Sequence, residues 1–162
     1  MTRKSIFAAA ALAALVAVSG FALWAQEPHA SYTPEGAWLV KGTFGPGSPT
    51  FLWMDNYTSD STNQGRTGTI LCTLPSATAT ASGHGVWARI EKNTFAFTAW
   101  RIRLDPNSQP IGLAKFWGTV TLPANDSMTG TLNAEFYDLA GNVVNRMLGG
   151  TSAGTRIQIQ YE

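Results

Sequence analysis

From residue 36 onward, short runs rich in β-branched and aromatic residues alternate with polar clusters typical of turns, and no stretch keeps a helical period. This pattern predicts strands at 36–44, 50–57, 67–74, 84–91, 94–104, 111–122, 128–137, 143–149 and 154–161. Several connections are short, which favours antiparallel pairing of successive strands. Closing the resulting meander removes its exposed edges. The sequence therefore predicts an all-β fold, a single antiparallel up-and-down β-barrel of eight to nine strands.

Side-chain alternation predicts which residues of four central strands face the interior. The assumed cross-strand pairs are Glu91 with Thr94, Leu104 with Ile111, and Leu122 with Met128. This register collects apolar side chains on one face: Val86, Ala88, Ile90, Phe95, Phe97, Ala99, Phe116, Val120, Leu132, Ala134 and Phe136. The other face carries threonines and sets Lys115 opposite Glu135, as on a solvated surface. We therefore expect the apolar face to line the interior.

Small residues are interleaved with the phenylalanines on that inner face: Gly112, Ala114, Gly118 and Gly130. Small beside large side chains either interdigitate tightly or leave room for a ligand. The pattern leaves both a filled and an open interior possible.

A polar group is predicted at one end of this apolar interior. The assumed register places His84 opposite Arg101 on the inner face, with Arg103 two residues further along, at the end that carries the 105–110 loop. A few polar groups in an apolar pocket set the orientation of a ligand, here a carboxylate or a carbonyl. The alternative is a histidine in a Gly-His-Gly turn and an arginine that extends to water.

Three tryptophans, Trp87, Trp100 and Trp117, are predicted on the outer face of adjacent strands. An exposed aromatic patch of this kind indicates a partner surface or a homodimer interface. Cover by residues 28–34, or by Arg89 and Lys115, is the alternative, and inverted faces would direct the tryptophans inward.

The first 25 residues have the pattern of an export signal. Arg3 and Lys4 precede an apolar stretch at 6–18, and small residues follow it. We expect cleavage after Ala22 or Ala25, with an uncleaved membrane anchor as the alternative. The predicted organisation is a signal peptide at 1–25, a leader at 26–35 and the barrel at 36–162. The mature protein would be secreted or periplasmic, without stable membrane insertion.

Composition narrows the chemistry. The 162 residues carry a formal net charge of +1, which argues against a nucleic-acid binder. The single cysteine, Cys72, excludes an intramolecular disulfide, and its apolar surroundings in the sequence predict a buried, unreactive thiol. Two histidines, His29 and His84, are too few for a metal site. We expect neither a metal nor a cofactor.

Two short motifs resemble those of lipocalins and the broader calycin group. Gly36-Ala37-Trp38 opens the first predicted strand, and Gly154-Thr155-Arg156 opens the last. In those barrels an arginine from near the chain end covers the tryptophan of a G-x-W motif. The resemblance implies structural roles for Trp38 and Arg156 at one end of the barrel, with the guanidinium stacked on the indole.

The predicted function is the binding of a small hydrophobic or amphipathic molecule inside the barrel. Its expected contacts are the walls Phe95, Phe97, Phe116, Leu132 and Phe136, with His84, Arg101 and Arg103 at the mouth. One alternative is a cofactor-free cyclase or isomerase, because small cyclase barrels have a similar shape; Arg101 would polarise an oxygen and His84 would move a proton. Another is a structural or interaction barrel with a filled core.

Overall fold

The computed structural model describes residues 32–63, 66–73, 80–158 and 160. The predicted signal peptide and residues 26–31 of the leader therefore lie outside the described residues. The described chain forms eight strands: β1 (Gly36–Thr43), β2 (Phe51–Ser59), β3 (Thr67–Thr73), β4 (Thr80–Glu91), β5 (Thr94–Leu104), β6 (Pro110–Ala124), β7 (Ser127–Tyr137) and β8 (Val143–Arg156). A short 3-10 helix follows β2 at Ser61–Asn63. No helix in these described ranges is long and apolar enough to cross a membrane.

The eight strands form a closed antiparallel barrel in chain order, and β1 pairs with β8 to close it. This confirms the predicted all-β up-and-down barrel. The order follows from short connections, because each hairpin pairs a strand with its neighbour in the sequence. Closure leaves neither β1 nor β8 with an unpaired edge.

The last two predicted strands are a single strand, β8, so the barrel has eight strands and not nine. The chain between the two predicted strands does not leave the sheet, and β8 carries a bulge instead: Leu132 pairs with Gly150 and Ala134 with Met147, so that extra residues of β8 lie opposite Asn133. Gly149 has a φ of 71°, and its backbone N–H donates to the Asn133 side chain at 3.0 Å. A glycine takes this left-handed conformation without steric cost, and the strand continues beyond it.

The predicted registers of β5 with β6 and of β6 with β7 are confirmed along the strands, but a bulge at the β5–β6 hairpin pairs Leu104 with Pro110 and not with Ile111. Phe95 pairs with Val120, and Lys115 lies opposite Glu135. The register predicted for β4 is wrong beyond its hairpin. Glu91 does pair with Thr94, but a bulge follows, and Arg89 then pairs with Phe95.

This bulge reverses the faces of β4. Val86 and Ile90, which were predicted to face inward, are 60% and 54% exposed, and Ala88 lies on the same outer side. Trp87, predicted to face outward, is buried inside the barrel. A one-residue shift has this effect because successive side chains of a strand point to opposite faces.

One end of the barrel interior is solidly packed. This packed end, where β1 begins and β8 ends, contains fully or almost fully buried large side chains: Trp38, Tyr57, Trp87, Phe95, Leu122 and Met128. The edge of the Trp87 ring meets Phe95 in a T-shaped contact with 5.5 Å between centroids. The opposite end, at the loops 44–50, 105–109 and 138–142, is the cavity end described below.

Candidate functional site

A cavity of about 460 Å³ occupies the barrel interior on the side of the cavity end. Its wall is mainly aromatic and aliphatic, and exposed residues Thr50, Phe51 and Leu52 form part of its rim. This volume lies in the range of pockets that bind small molecules. The interior is therefore filled at the packed end and open at the cavity end.

Four of the five predicted wall residues line this cavity: Phe97, Phe116, Leu132 and Phe136. The rings of Phe116 and Phe136 meet edge to face at 6.3 Å between centroids. Phe95 does not line the cavity. It is completely buried in the packed end, because it is the second residue of β5 and that strand begins at the packed end.

Arg101 lies on the inner face as predicted and is 6% exposed. It lines the cavity, its Cζ is 5.0 Å from the centre of the Phe116 ring, and its Nε is buried without a hydrogen-bond partner. Arg103 is half-buried closer to the strand end, where it lies over the Phe136 ring at 5.4 Å and donates to the Tyr137 carbonyl at 3.3 Å. It is not among the lining residues.

His84 is not part of this group. It pairs with Trp100 rather than Arg101, and its side chain is exposed on the outer face. The bulge between Arg89 and Glu91 is the reason, since it reverses which residues of β4 point outward. The structure thus separates the predicted histidine from the two predicted arginines.

Asp55 is the charged residue of the cavity that the sequence prediction missed. It is 7% exposed and lines the cavity, and its Oδ2 accepts a hydrogen bond from Trp53 Nε1 at 2.9 Å. Its Oδ1 is buried without a partner. The alternation Trp53-x-Asp55-x-Tyr57 in β2 contained the signal, because it places the carboxylate on the same face as two large aromatic side chains.

Cys72 lies beside Asp55, with which it pairs across β2 and β3. Asp55 and Arg101 both act on the pKa of its thiol. Cys72 is a buried free cysteine, as its sequence context predicts. Burial and the Asp55 charge raise the pKa of its thiol to about 12, so the thiol stays protonated at neutral pH.

Burial dominates the titration of the acidic groups in this cluster. Removal from water raises the pKa of Asp55, while the Cys72 and Trp53 hydrogen bonds and the Arg101 charge act in the opposite direction. Tyr57, whose hydroxyl lies 3.5 Å from Asp55 Oδ2, has its pKa raised well above the usual value by burial and by that neighbouring charge. Tyr57 is therefore a neutral donor.

Trp38 and Arg156 form the contact that the lipocalin resemblance implies. Trp38 is completely buried and donates through Nε1 to the Pro34 carbonyl at 2.7 Å. Arg156 pairs with Trp38 across β1 and β8, and its Cζ lies 4.3 Å from the indole centre. Its guanidinium donates to three backbone carbonyls: Asn125 at 2.7 Å, Thr33 at 2.9 Å, and Glu35.

The predicted outer aromatic surface consists of Trp100 and Trp117 without Trp87, whose Nε1 instead donates to the Thr58 carbonyl at 3.1 Å. Trp100 is 41% exposed and lies 5.4 Å from the Tyr137 ring. The Lys115 ammonium lies over both outer tryptophans, at 5.8 and 5.2 Å. This is the cover by Lys115 that the sequence left open, and a homodimer through this surface stays a prediction.

Metal ligands are not clustered in the described ranges, where no three histidine, cysteine, aspartate or glutamate side chains are positioned to hold an ion.

Comparison with known proteins finds similar structures but no similar family or curated sequence. No protein-family model and no curated protein sequence matches the chain. The structure of EF1p2_mFAP2b bound to DFHBI is similar, with a TM-score of 0.52 and 16% identity over 76% of this chain and 93% of that one. A redesigned β-barrel, mFAP1, also bound to DFHBI, has a TM-score of 0.47 and 18% identity over 75% of this chain and 94% of that one. The likeness to EF1p2_mFAP2b shows a shared barrel fold.

Proposed function

We propose that this chain is an exported β-barrel of calycin type that binds a small hydrophobic or amphipathic molecule in its interior. The observation that carries the proposal is the cavity of about 460 Å³ between the packed end and the loops of the cavity end. A barrel whose only requirement was stability would gain by filling this space, because cavities forfeit packing contacts.

The cavity wall supports an apolar or amphipathic ligand. Aromatic side chains form much of it, and the charged residues that line it are Asp55 and Arg101 within the described part of the chain. A largely apolar wall favours transfer of apolar surface from water by about 25 cal/mol per Å² buried. Two polar groups at defined positions would orient the bound molecule.

Export is supported by the sequence of the first 25 residues, with two basic residues before an apolar stretch. EF1p2_mFAP2b, which shares the barrel fold, was solved bound to DFHBI. That precedent supports the use of such a barrel as a container for a ligand.

Nile red, a neutral dye whose fluorescence rises in apolar surroundings, provides a direct test. We expect the purified protein to bind it and Ala99→Trp to weaken binding at least tenfold, because Ala99 lies in the cavity wall and the indole would occupy the space. Ile102→Trp is the matched control: it adds the same side chain on the same strand at a 45% exposed outer position. Equal binding by both folded variants would place the dye elsewhere and contradict the proposal.

The cyclase or isomerase alternative needs a residue other than His84 to move a proton. His84 lies outside the cavity, so the carboxyl group available for proton transfer inside it is that of Asp55, which is buried and has a raised pKa. Native mass spectrometry of the protein purified from its own source separates the two. A discrete added mass that is lost on denaturation supports a binding protein, whereas an added mass that changes during incubation supports an enzyme.

A further inference from the structure

We propose that Asp55 and Arg101 act together as a recognition site for a neutral ligand head group that carries an N–H or O–H donor beside a carbonyl acceptor, as in a carboxamide or a lactam. This inference rests on the proposed function, since it names the class of molecule that the same cavity takes. A neutral head group of this kind takes the place of the ligand carboxylate that Arg101 alone would favour.

The first step is that both side chains are deeply buried and line the same cavity. Asp55 is 7% exposed and Arg101 is 6% exposed, and Cys72, the cross-strand partner of Asp55, lines the cavity with them. They come from strands far apart in the sequence, β2 and β5, and the closed barrel brings them together.

The second step is that the protein leaves polar capacity on each of them unused. Asp55 Oδ1 and Arg101 Nε are buried without hydrogen-bond partners. Leaving a buried polar group unpaired costs about 1–3 kcal/mol, and more when it is charged. Buried polar groups without partners are rare in folded proteins, and a bound molecule that supplies the missing acceptor and donor is a physical reason to keep them.

The third step is charge. A guanidinium is a cation that has only donors, and the Asp55 carboxylate interacts with that of Arg101 as an opposite charge in the same cavity. A ligand carboxylate would have to compete with Asp55 for the guanidinium, and a ligand ammonium would be repelled by Arg101. A neutral head group avoids both penalties and can accept from the guanidinium while it donates to the carboxylate.

Competition against Nile red with four naphthalene compounds of similar size tests this directly. The probes are naphthalene-2-carboxamide, naphthalene-2-carboxylate, 2-naphthylmethylammonium and the apolar 2-ethylnaphthalene. We expect the carboxamide to displace the dye at a concentration at least tenfold lower than either charged compound, and lower than 2-ethylnaphthalene. A carboxylate that binds as tightly as the carboxamide would overturn the inference.

The two proposals fail in different ways. If neither Nile red nor 2-ethylnaphthalene binds, the proposed function itself is wrong. If both bind and the four head groups make no difference, the interior binds ligands but Asp55 and Arg101 do not select among them.

Charge-changing variants sharpen the result. Asp55→Asn keeps the side-chain shape and leaves Arg101 without its counter-charge. The affinity for naphthalene-2-carboxylate should therefore rise at least tenfold relative to the affinity for naphthalene-2-carboxamide. Glu135→Gln is the matched control, because it removes the same charge from the outer face. It should leave the order of the four compounds unchanged.

Asp55→Asn leaves a buried charge unpaired, so a second variant guards against loss of folding. Asp55→Leu with Arg101→Met removes both charges and should keep binding of 2-ethylnaphthalene while the carboxamide loses its advantage. A carboxamide preference that survives in this folded double variant would overturn the inference.

Discussion

Arg156 at the packed end and Arg101 in the cavity differ in how completely the protein satisfies their hydrogen-bond donors. Each guanidinium lies over an aromatic ring, Trp38 and Phe116 respectively, at 4.3 and 5.0 Å. Arg156 donates to three backbone carbonyls, whereas Arg101 keeps a buried Nε without a partner beside a carboxylate that has an unpartnered oxygen.

Arg89 belongs with Arg156 in this comparison. It lies over the Phe95 ring at 4.6 Å and donates to the carbonyls of Tyr32 and Lys92. The packed end thus uses its arginines to tie the residues before β1 and the β4–β5 hairpin to the barrel. A guanidinium whose donors are taken up by the backbone is a structural element, and one that keeps an unused donor in a cavity is available to a ligand.

The largest effect is expected from Trp38→Ala, which would break the packed end. Trp38 is completely buried and carries both the Arg156 contact and the Pro34 hydrogen bond. Truncation of a large buried aromatic side chain should lower the free energy of unfolding by about 3–5 kcal/mol. Urea unfolding measures this, with Trp100→Ala at the half-exposed outer position as the control. Similar losses of unfolding free energy in the two variants would show that the burial of Trp38 at the packed end does not add to stability.

A smaller loss is expected from Arg156→Met, which removes three charged hydrogen bonds but keeps an apolar side chain over Trp38. The free energy of unfolding should fall by about 1–3 kcal/mol. Unfolding curves for this variant and for Arg156→Lys, which keeps the charge without the planar fork, test whether the guanidinium geometry matters. Full rescue by lysine would contradict the role of the three directed hydrogen bonds.

The double variant Asp55→Leu with Arg101→Met should leave stability unchanged or raise it, in contrast with Arg156→Met. Replacing a buried charged pair with apolar residues of similar volume is often neutral or stabilising, by up to about 4 kcal/mol. Thermal unfolding of the ligand-free protein measures the difference. A loss of stability as large as that of Arg156→Met would mean that Asp55 and Arg101 stabilise the fold, and it would contradict the difference between Arg101 and Arg156.

The smallest expected effect is a pH dependence of opposite sign at two aspartates. Burial raises the pKa of Asp55 above its ordinary 3.8, so its contribution to stability is full below that value and is lost as the pH rises through its folded pKa. The difference in unfolding free energy between wild type and Asp55→Asn should therefore shift against the wild type as the pH rises above 3.8.

Asp138 at the β7–β8 turn provides the opposite case. The Asn142 side chain and backbone donate to Asp138, which lowers its pKa. Its contribution is present above pH 3.8 and is lost as the pH falls through the lower folded value. Unfolding titrations of Asp55→Asn and Asp138→Asn against wild type test both signs, and parallel pH profiles for the two variants would contradict the burial of Asp55.

Local sequence was enough for the barrel and for the inner faces of β5, β6 and β7, although it divided β8 into two strands. Each of those faces follows from a hairpin and strict alternation, so Lys115 opposite Glu135 and the cavity walls Phe97 and Phe116 could be predicted. The same reasoning placed Arg101 correctly. It misplaced His84 and Trp87, because one bulge between Arg89 and Glu91 shifts β4 by a single residue and reverses its faces.

The sequence by itself determined that this chain is a β-barrel with aromatic walls, since alternation and short turns are local properties. Only the tertiary structure decided that the interior is packed at one end and open at the other, and that Asp55 of β2 and Arg101 of β5 line the same cavity. These depend on bulges and on closure of the whole barrel, where each strand's position is set by partners distant in the chain. Burial then changes the chemistry, because the Asp55 carboxyl and the Arg101 guanidinium lie in a cavity away from water, where charge and unpaired hydrogen-bonding groups carry their greatest cost.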